Sequence, residues 1–169
     1  MDVAEKTLKD MDLYVDGRGY AGNIESFKPP KLSLTTKDHR AGGMDSSVAV
    51  ETGMEALETS FVLTGHFEDV LSLWGVAVGE KPQITARGSL ESRDGTVTPV
   101  VINMRGLIVS IEDGDWKPGE GNTQTFTVKP DYYKREQGGT VLHEIDVPNM
   151  VRKINGVDQL EARRNALGL

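Results

Sequence analysis

The chain has 169 residues, no cysteine, and 26 acidic against 19 basic side chains, a net charge of −7. That length suits one full domain, expected to span residues 1–169, and is short for two. The missing cysteine excludes disulfide scaffolds, thiolate metal sites and cysteine nucleophiles, and the acidic balance argues against tight binding to phosphates.

A hydrophobic share of 37% and a mean hydropathy of −0.37 indicate a soluble globular chain. No stretch approaches the roughly 20 apolar residues of a membrane helix, so no membrane insertion is expected. The start, Met1 to Asp10, carries Asp2, Glu5, Lys6, Lys9 and Asp10 without an apolar block. It reads as a flexible arm and not as a secretory signal. Leu13-Tyr14-Val15 and Tyr20 to Ile24 flank Asp16-Gly17-Arg18-Gly19, a tight-turn signal that predicts a β-hairpin. Leu32 and Leu34, after Pro29-Pro30, begin a further strand.

Residues 38–54, from Asp38 through Gly42, Gly43 and Asp45 to Met54, show weak periodicity and both charge signs. They predict a long loop, and a loop of that length in a compact domain usually has a task. Leu57, Thr59, Phe61 and Leu63 then alternate with Glu58, Ser60, Val62 and Thr64 as a strand. Phe67, Val70, Leu71 and Trp74 follow at helical spacing, with Glu68 and Asp69 placed to suit the helix dipole and Gly75 to end it.

Ile84, Ala86, Gly88 and Leu90 alternate with Thr85, Arg87, Ser89 and Glu91, and Asp94-Gly95 turns the chain back. The returning strand, Val97 to Ile111, is apolar on both sides, which predicts burial of both faces over part of its length. Beyond the turn-rich 112–122 segment, Phe126, Val128 and Tyr132 oppose Thr125, Thr127, Lys129 and Asp131. Gln137-Gly138-Gly139 leads into Thr140 to Val147, and Val157, Leu160, Arg164 and Leu167 predict a short closing helix. The total is seven or eight strands and two short helices. That is a mainly β fold of two packed antiparallel sheets, a barrel or sandwich with a flanking helix.

Catalytic chemistry has no constellation here. His39, His66 and His143 lack metal-ligand spacing. Gly75 to Lys81 is one residue short for a phosphate loop and sets Glu80 where lysine is needed. Asp113-Gly114-Asp115 with Glu120 lacks the register of a calcium loop, and no serine sits in a nucleophile elbow. The chain is expected to be no enzyme and to need no cofactor.

The C-terminal run Glu144-Ile145-Asp146, Asn149-Met150, Ile154-Asn155-Gly156-Val157-Asp158-Gln159-Leu160 and Arg164-Asn165-Ala166-Leu167-Gly168-Leu169 resembles the ending of major tail-tube proteins. That family belongs to contractile-tailed phages and R-type tailocins. Asp16-Gly17, Pro30-Lys31-Leu32, Arg40-Ala41-Gly42-Gly43-Met44, Met104-Arg105-Gly106, Gly114-Asp115-Trp116-Lys117 and Tyr132-Tyr133-Lys134 match in order. The resemblance runs from about Leu13 to Leu169.

It implies that six copies form a ring whose inner strands join into one barrel, with rings stacked into a tube inside a contractile sheath. Roughly 24 strands about 4.8 Å apart and tilted about 45° give a backbone radius of about 26 Å and a lumen of about 40 Å. Duplex DNA or a tape-measure protein passes without specific binding, and baseplate and terminator proteins close the ends. Thr85, Arg87, Ser89, Glu91, Thr125, Thr127 and Lys129 are the candidate lumen-facing residues, unless their face points outward. The 38–54 loop is similar to the family's inter-ring loop. Within it Asp38, Gly42 and Gly43 belong to the arm, Arg40 and Asp45 are candidate charged contacts, and Met44 and Val50 candidate apolar anchors. Asn155, Gly156, Asp158 and Arg164 are candidate subunit contacts. The implied location is a virion tail or tailocin particle assembled in the bacterial cytoplasm. The alternatives are a type VI secretion-like tube protein and a free-standing β-sandwich that binds a sugar or peptide.

Overall fold

The turn residues close successive hairpins in the computed structural model, which describes residues 5–169. Strand β1 (Lys6–Val15) returns through Asp16 and Gly17 to the short β2 (Arg18–Gly19). Both turn residues have positive φ, 48° and 83°, the backbone a two-residue hairpin turn requires. Asp94-Gly95 joins β7 (Gln83–Ser92) to β8 (Val97–Asp113). The backbone N–H of Thr96 donates to Asp94 Oδ1 at 2.9 Å there. Gly138-Gly139 joins β9 (Thr123–Gln137) to β10 (Thr140–Asp146).

Ten of the strands form one antiparallel sheet organised by the long pair β8 and β9. The first half of β8 pairs with β7, and β7 with β1. The second half of β9 pairs with β10, which continues into β11 (Val151–Ile154) and β12 (Val157–Asp158). The first half of β9 pairs instead with β6 (Thr59–Thr64), and β6 with β3 (Ile24–Lys28). The sheet therefore folds over its own inner face like a sandwich and does not close into a barrel within one chain.

Alternation decides what lies inside that fold. Val100, Ile102, Met104 and Ile108 of β8 are buried with Leu13, Val15, Ile84, Phe61, Leu63, Phe126, Val128 and Tyr133. Phe61 and Phe126 are direct cross-strand partners with rings stacked 4.9 Å apart. All four residues of the predicted 57–63 face are buried. Thr59 joins them because its hydroxyl donates to the Lys28 carbonyl at 2.6 Å.

Several expectations are corrected. Residues 6–10 are not an arm: they pair with β7, Leu8 opposite Leu90 and Asp10 opposite Ser89. The rest of the expected 1–10 arm, residues 1–4, lies outside the described residues. The supposed 38–54 loop is largely a hairpin of β4 (Leu34–His39) and β5 (Val48–Met54). Helix α1 (Glu68–Leu71) lasts one turn, so Val70 is buried while Trp74, beyond its end, stays 57% exposed. Only one face of β8 is buried; Val109 on the other is exposed. Tyr133, not Tyr132, enters the core, because an extra residue at Asp131 shifts the register between Gly106–Pro130 and Arg105–Tyr132. A one-residue shift exchanges the two faces of a strand. Among the described residues there are twelve strands, several of two to four residues, against the seven or eight expected.

Candidate assembly surfaces

The β4–β5 hairpin forms its own two-stranded sheet. Its register runs from Leu34 opposite Met54 to His39 opposite Val48, placing Lys37 against Val50 and Asp38 against Ala49. Leu34, Val48 and Val50 are exposed strand residues, the two valines being of strong β preference. The tip is ordered by its own contacts. Arg40 Nε donates to the Met44 carbonyl at 3.2 Å, and the N–H of Ala41 meets Met44 Sδ at 3.2 Å. Gly42, Gly43 and Asp45 complete this exposed turn.

The C-terminal segment packs beside that hairpin. Asn155 and Gly156 both have positive φ and turn β11 into β12. Asp158 accepts from Arg164 Nη2 at 2.8 Å and from the N–H of Leu160 at 3.0 Å, while Arg164 Nη1 donates to the Met150 carbonyl at 2.9 Å. The Arg164 hydrogen bond holds the Asp158 carboxyl below its ordinary value. Of the four predicted tail residues, two therefore make a turn and two bond each other. Val157, Leu167 and Leu169 remain strongly exposed.

Sequence reasoning missed the group that joins the hairpin to the tail. Glu51 of β5 accepts from Arg152 Nη1 of β11 at 3.0 Å and from Arg163 Nη2 of α2 (Glu161–Ala166) at 3.1 Å. The Arg152 hydrogen bond lowers the Glu51 pKa first, with Arg163 adding to it against the opposing effect of burial. No local signal marks a contact between residues a hundred positions apart.

The polar candidates on β7 and β9 lie on the one sheet face turned away from the core. Thr85 is opposite Asn103 and Arg87 opposite Val101; Lys129 is opposite Leu107 and Thr127 opposite Ser110. Alternation along β8 keeps Val101, Asn103, Arg105 and Leu107 on that same face. Thr85, Ser89, Glu91, Thr125 and Thr127 are half-buried, and Arg87 and Lys129 exposed. Thr85 donates to Asn103 Oδ1 at 3.0 Å. The Arg87 guanidinium lies 5.9 Å from the Tyr14 ring centre and that of Arg105 5.7 Å from Tyr132, within cation–π range of each ring.

Among the described residues no three His, Cys, Asp or Glu side chains group as metal ligands, and no helix is long and apolar enough to cross a membrane. His66 has a structural neighbourhood. Its Nδ1 lies 3.2 Å from the amide nitrogen of buried Gln124, which donates to Asp113 and so ties the 114–122 loop to its flanking strands.

This folded-over antiparallel sheet recurs in other solved structures. A chain of the PVC sheath–tube complex in its extended state shares it, with a TM-score of 0.57 at 16% identity over 75% of this chain and 87% of that one. A chain of the anti-feeding prophage baseplate matches at 0.51, with 13% identity, over 80% and 95%. The chain belongs to the phage tail tube protein FII family, whose profile matches residues 5–168. It is similar to the tail tube protein of Escherichia phage P2, 33% identical over 97% of this chain and 98% of that protein. The major tail tube protein of Serratia phage KSP20 is 35% identical over 97% and 96%.

Proposed function

We propose that six copies of this chain form a ring and that rings stack into the inner tube of a contractile tail. A sheath surrounds that tube, baseplate and terminator proteins cap it, and DNA or a tape-measure protein passes through. The observation that carries the ring is the open edge of β1. Among the described residues its one partner besides β7, the short β2, reaches just Tyr14 and Val15, which leaves Lys6 to Asp12 able to continue a sheet. Unpaired N–H and C=O groups invite another strand. The edge is blunted by charges and by the irregularity between Leu8 and Asp10, devices that limit premature pairing.

The β4–β5 hairpin, with Asp38, Arg40, Met44, Asp45 and Val50, is the arm toward the neighbouring ring. Its exposed valines and those of the tail supply apolar area for that contact. The face bearing Thr85, Arg87, Ser89, Glu91, Thr125, Thr127 and Lys129 lines the lumen, where polar side chains meet water and passing cargo. Asn155, Gly156, Asp158 and Arg164 shape the tail for contacts between subunits. The protein acts without chemistry of its own, as part of a virion tail or tailocin particle assembled in the bacterial cytoplasm. Negative-stain electron microscopy of the purified protein tests the reading. Rings or tubes are expected; a monomer that persists at high concentration and in the presence of sheath and baseplate proteins overturns it.

A further inference from the structure

Among the described residues the β4–β5 hairpin shares no backbone ladder with the main sheet, so its direction depends on side chains. The described side-chain hydrogen bonds from hairpin to body converge on one carboxylate. Glu51 Oε1 is bonded by Arg152 and Oε2 by Arg163, so both oxygens are engaged and the side chain is fixed in two directions. Arg152 sits within β11, its position set by pairing with Ile145 of β10, and its side chain is only 13% exposed. Arg163 reaches in from α2, which is itself fastened by the adjacent Arg164 to Asp158 and to the Met150 carbonyl.

We infer that Glu51 is a positioning residue: gripped by Arg152 and Arg163, it aims the β4–β5 hairpin, and the C-terminal segment thereby controls the direction of the arm. The inference rests on the reading of that hairpin as the assembly arm. Its physical basis is lever geometry. Glu51 lies three residues up β5 from the root at Met54 and Leu34, while the tip at 40–47 lies several residues beyond it. A small rotation allowed at Glu51 is magnified at Met44. Arg152 supplies the less exposed, less screened bond; Arg163, 53% exposed, supplies the one a partner or salt can compete for. Whatever engages α2 and takes up Arg163 then loosens the arm.

Cysteine pairs test this in a chain that has none of its own. Spin labels at Lys37→Cys on the hairpin and Thr96→Cys in the β7–β8 turn report arm direction in the monomer. The wild-type pair is expected to give one narrow distance. Glu51→Gln should broaden it, Arg163→Ala should broaden it less, and Arg152→Met should leave Glu51→Gln little further to add, the non-additivity of a shared contact. An unchanged distribution in Glu51→Gln overturns the inference, as does additive broadening in the double variant. Tube elongation is measured alongside, with a several-fold loss expected for Glu51→Gln. Broadening with normal elongation supports the clamp and removes instead the hairpin's role in stacking, so the two ideas fail separately.

Discussion

Gly106 on β8 lies so close to Pro130 on β9 that a Cβ added to it would stand 2.4 Å from both Pro130 Cα and the Lys129 carbonyl oxygen. Those contacts are backbone and cannot swing away. The Gly106–Pro130 register is also where the pairing shifts and the two halves of the sheet meet. Gly106→Ala should therefore destabilise the subunit by about 1–3 kcal/mol, the usual size of an overpacking penalty. Urea denaturation of the monomer measures this directly.

Phe126 is fully buried and stacked on Phe61 at the join between β6 and β9. Truncating a buried phenylalanine removes its burial and leaves a cavity, about 3–5 kcal/mol together. Phe126→Ala should lower the melting temperature far more than Val109→Ala, whose side chain is exposed on the other face of β8. Equal effects would contradict the assignment of faces.

Deletion of Gly42 to Ser47 removes an exposed tip whose described hydrogen bonds reach no farther than the adjoining Arg40 and Ala41. The far-ultraviolet circular dichroism and melting curve should stay near wild type. Electron microscopy should show no tubes. Normal tubes from the deletion would remove the arm from the stacking contact.

Acid should release the tail. Glu51 and Asp158 have folded pKa values held below the ordinary carboxylate range by Arg152 and Arg164 respectively. A lowered carboxylate stabilises the fold above its unfolded pKa, and that contribution fades as pH falls through the folded value. Protection of the α2 amides from hydrogen exchange, taken relative to the intrinsic rate at each pH, should fall only below about pH 4, where free carboxylates begin to protonate. Asp158→Asn should show the lower protection already at neutral pH.

His143 adds a dependence at milder pH. Burial, and then the cation of Arg135 across the strand pair, push it below the histidine value of 6.5. The unfolded chain takes up the proton more readily, so this contribution is intact above that value and declines as pH falls toward the folded pKa. Stability measured at about pH 7.5 and about pH 5.5 should differ less in His143→Gln than in wild type.

Alternation was legible wherever a strand buries one face against this chain's own core. Leu57 to Leu63 and Ile84 to Ala86 were placed correctly for that reason, and the turns at Asp94-Gly95 and Gly138-Gly139 by their glycines; the first hairpin turns within the expected Asp16 to Gly19, but its return strand is Arg18–Gly19 and not Tyr20 to Ile24. Val48 and Val50 misled because both are exposed on the hairpin, so their pattern marks no buried face. Lys6 to Asp10 misled because an edge strand wears charges like those of an unstructured arm. Of the surfaces, the polar face shared by β7 and β9 could be read; the pairing of the β4–β5 hairpin and the Glu51 clamp could not.

The sequence by itself determined the β class, the main turns and most of the core, because these follow from local backbone preference and a period of two. Its ordered motifs also carried the resemblance to tail-tube proteins. Only the tertiary structure decided that Tyr133 and not Tyr132 is buried, that β9 divides its partners between β6 and β10, and that Glu51 meets Arg152 and Arg163. Each of those depends on a register shift or on long-range pairing, and such contacts leave no periodic trace because their partners are brought together only by the folded sheet.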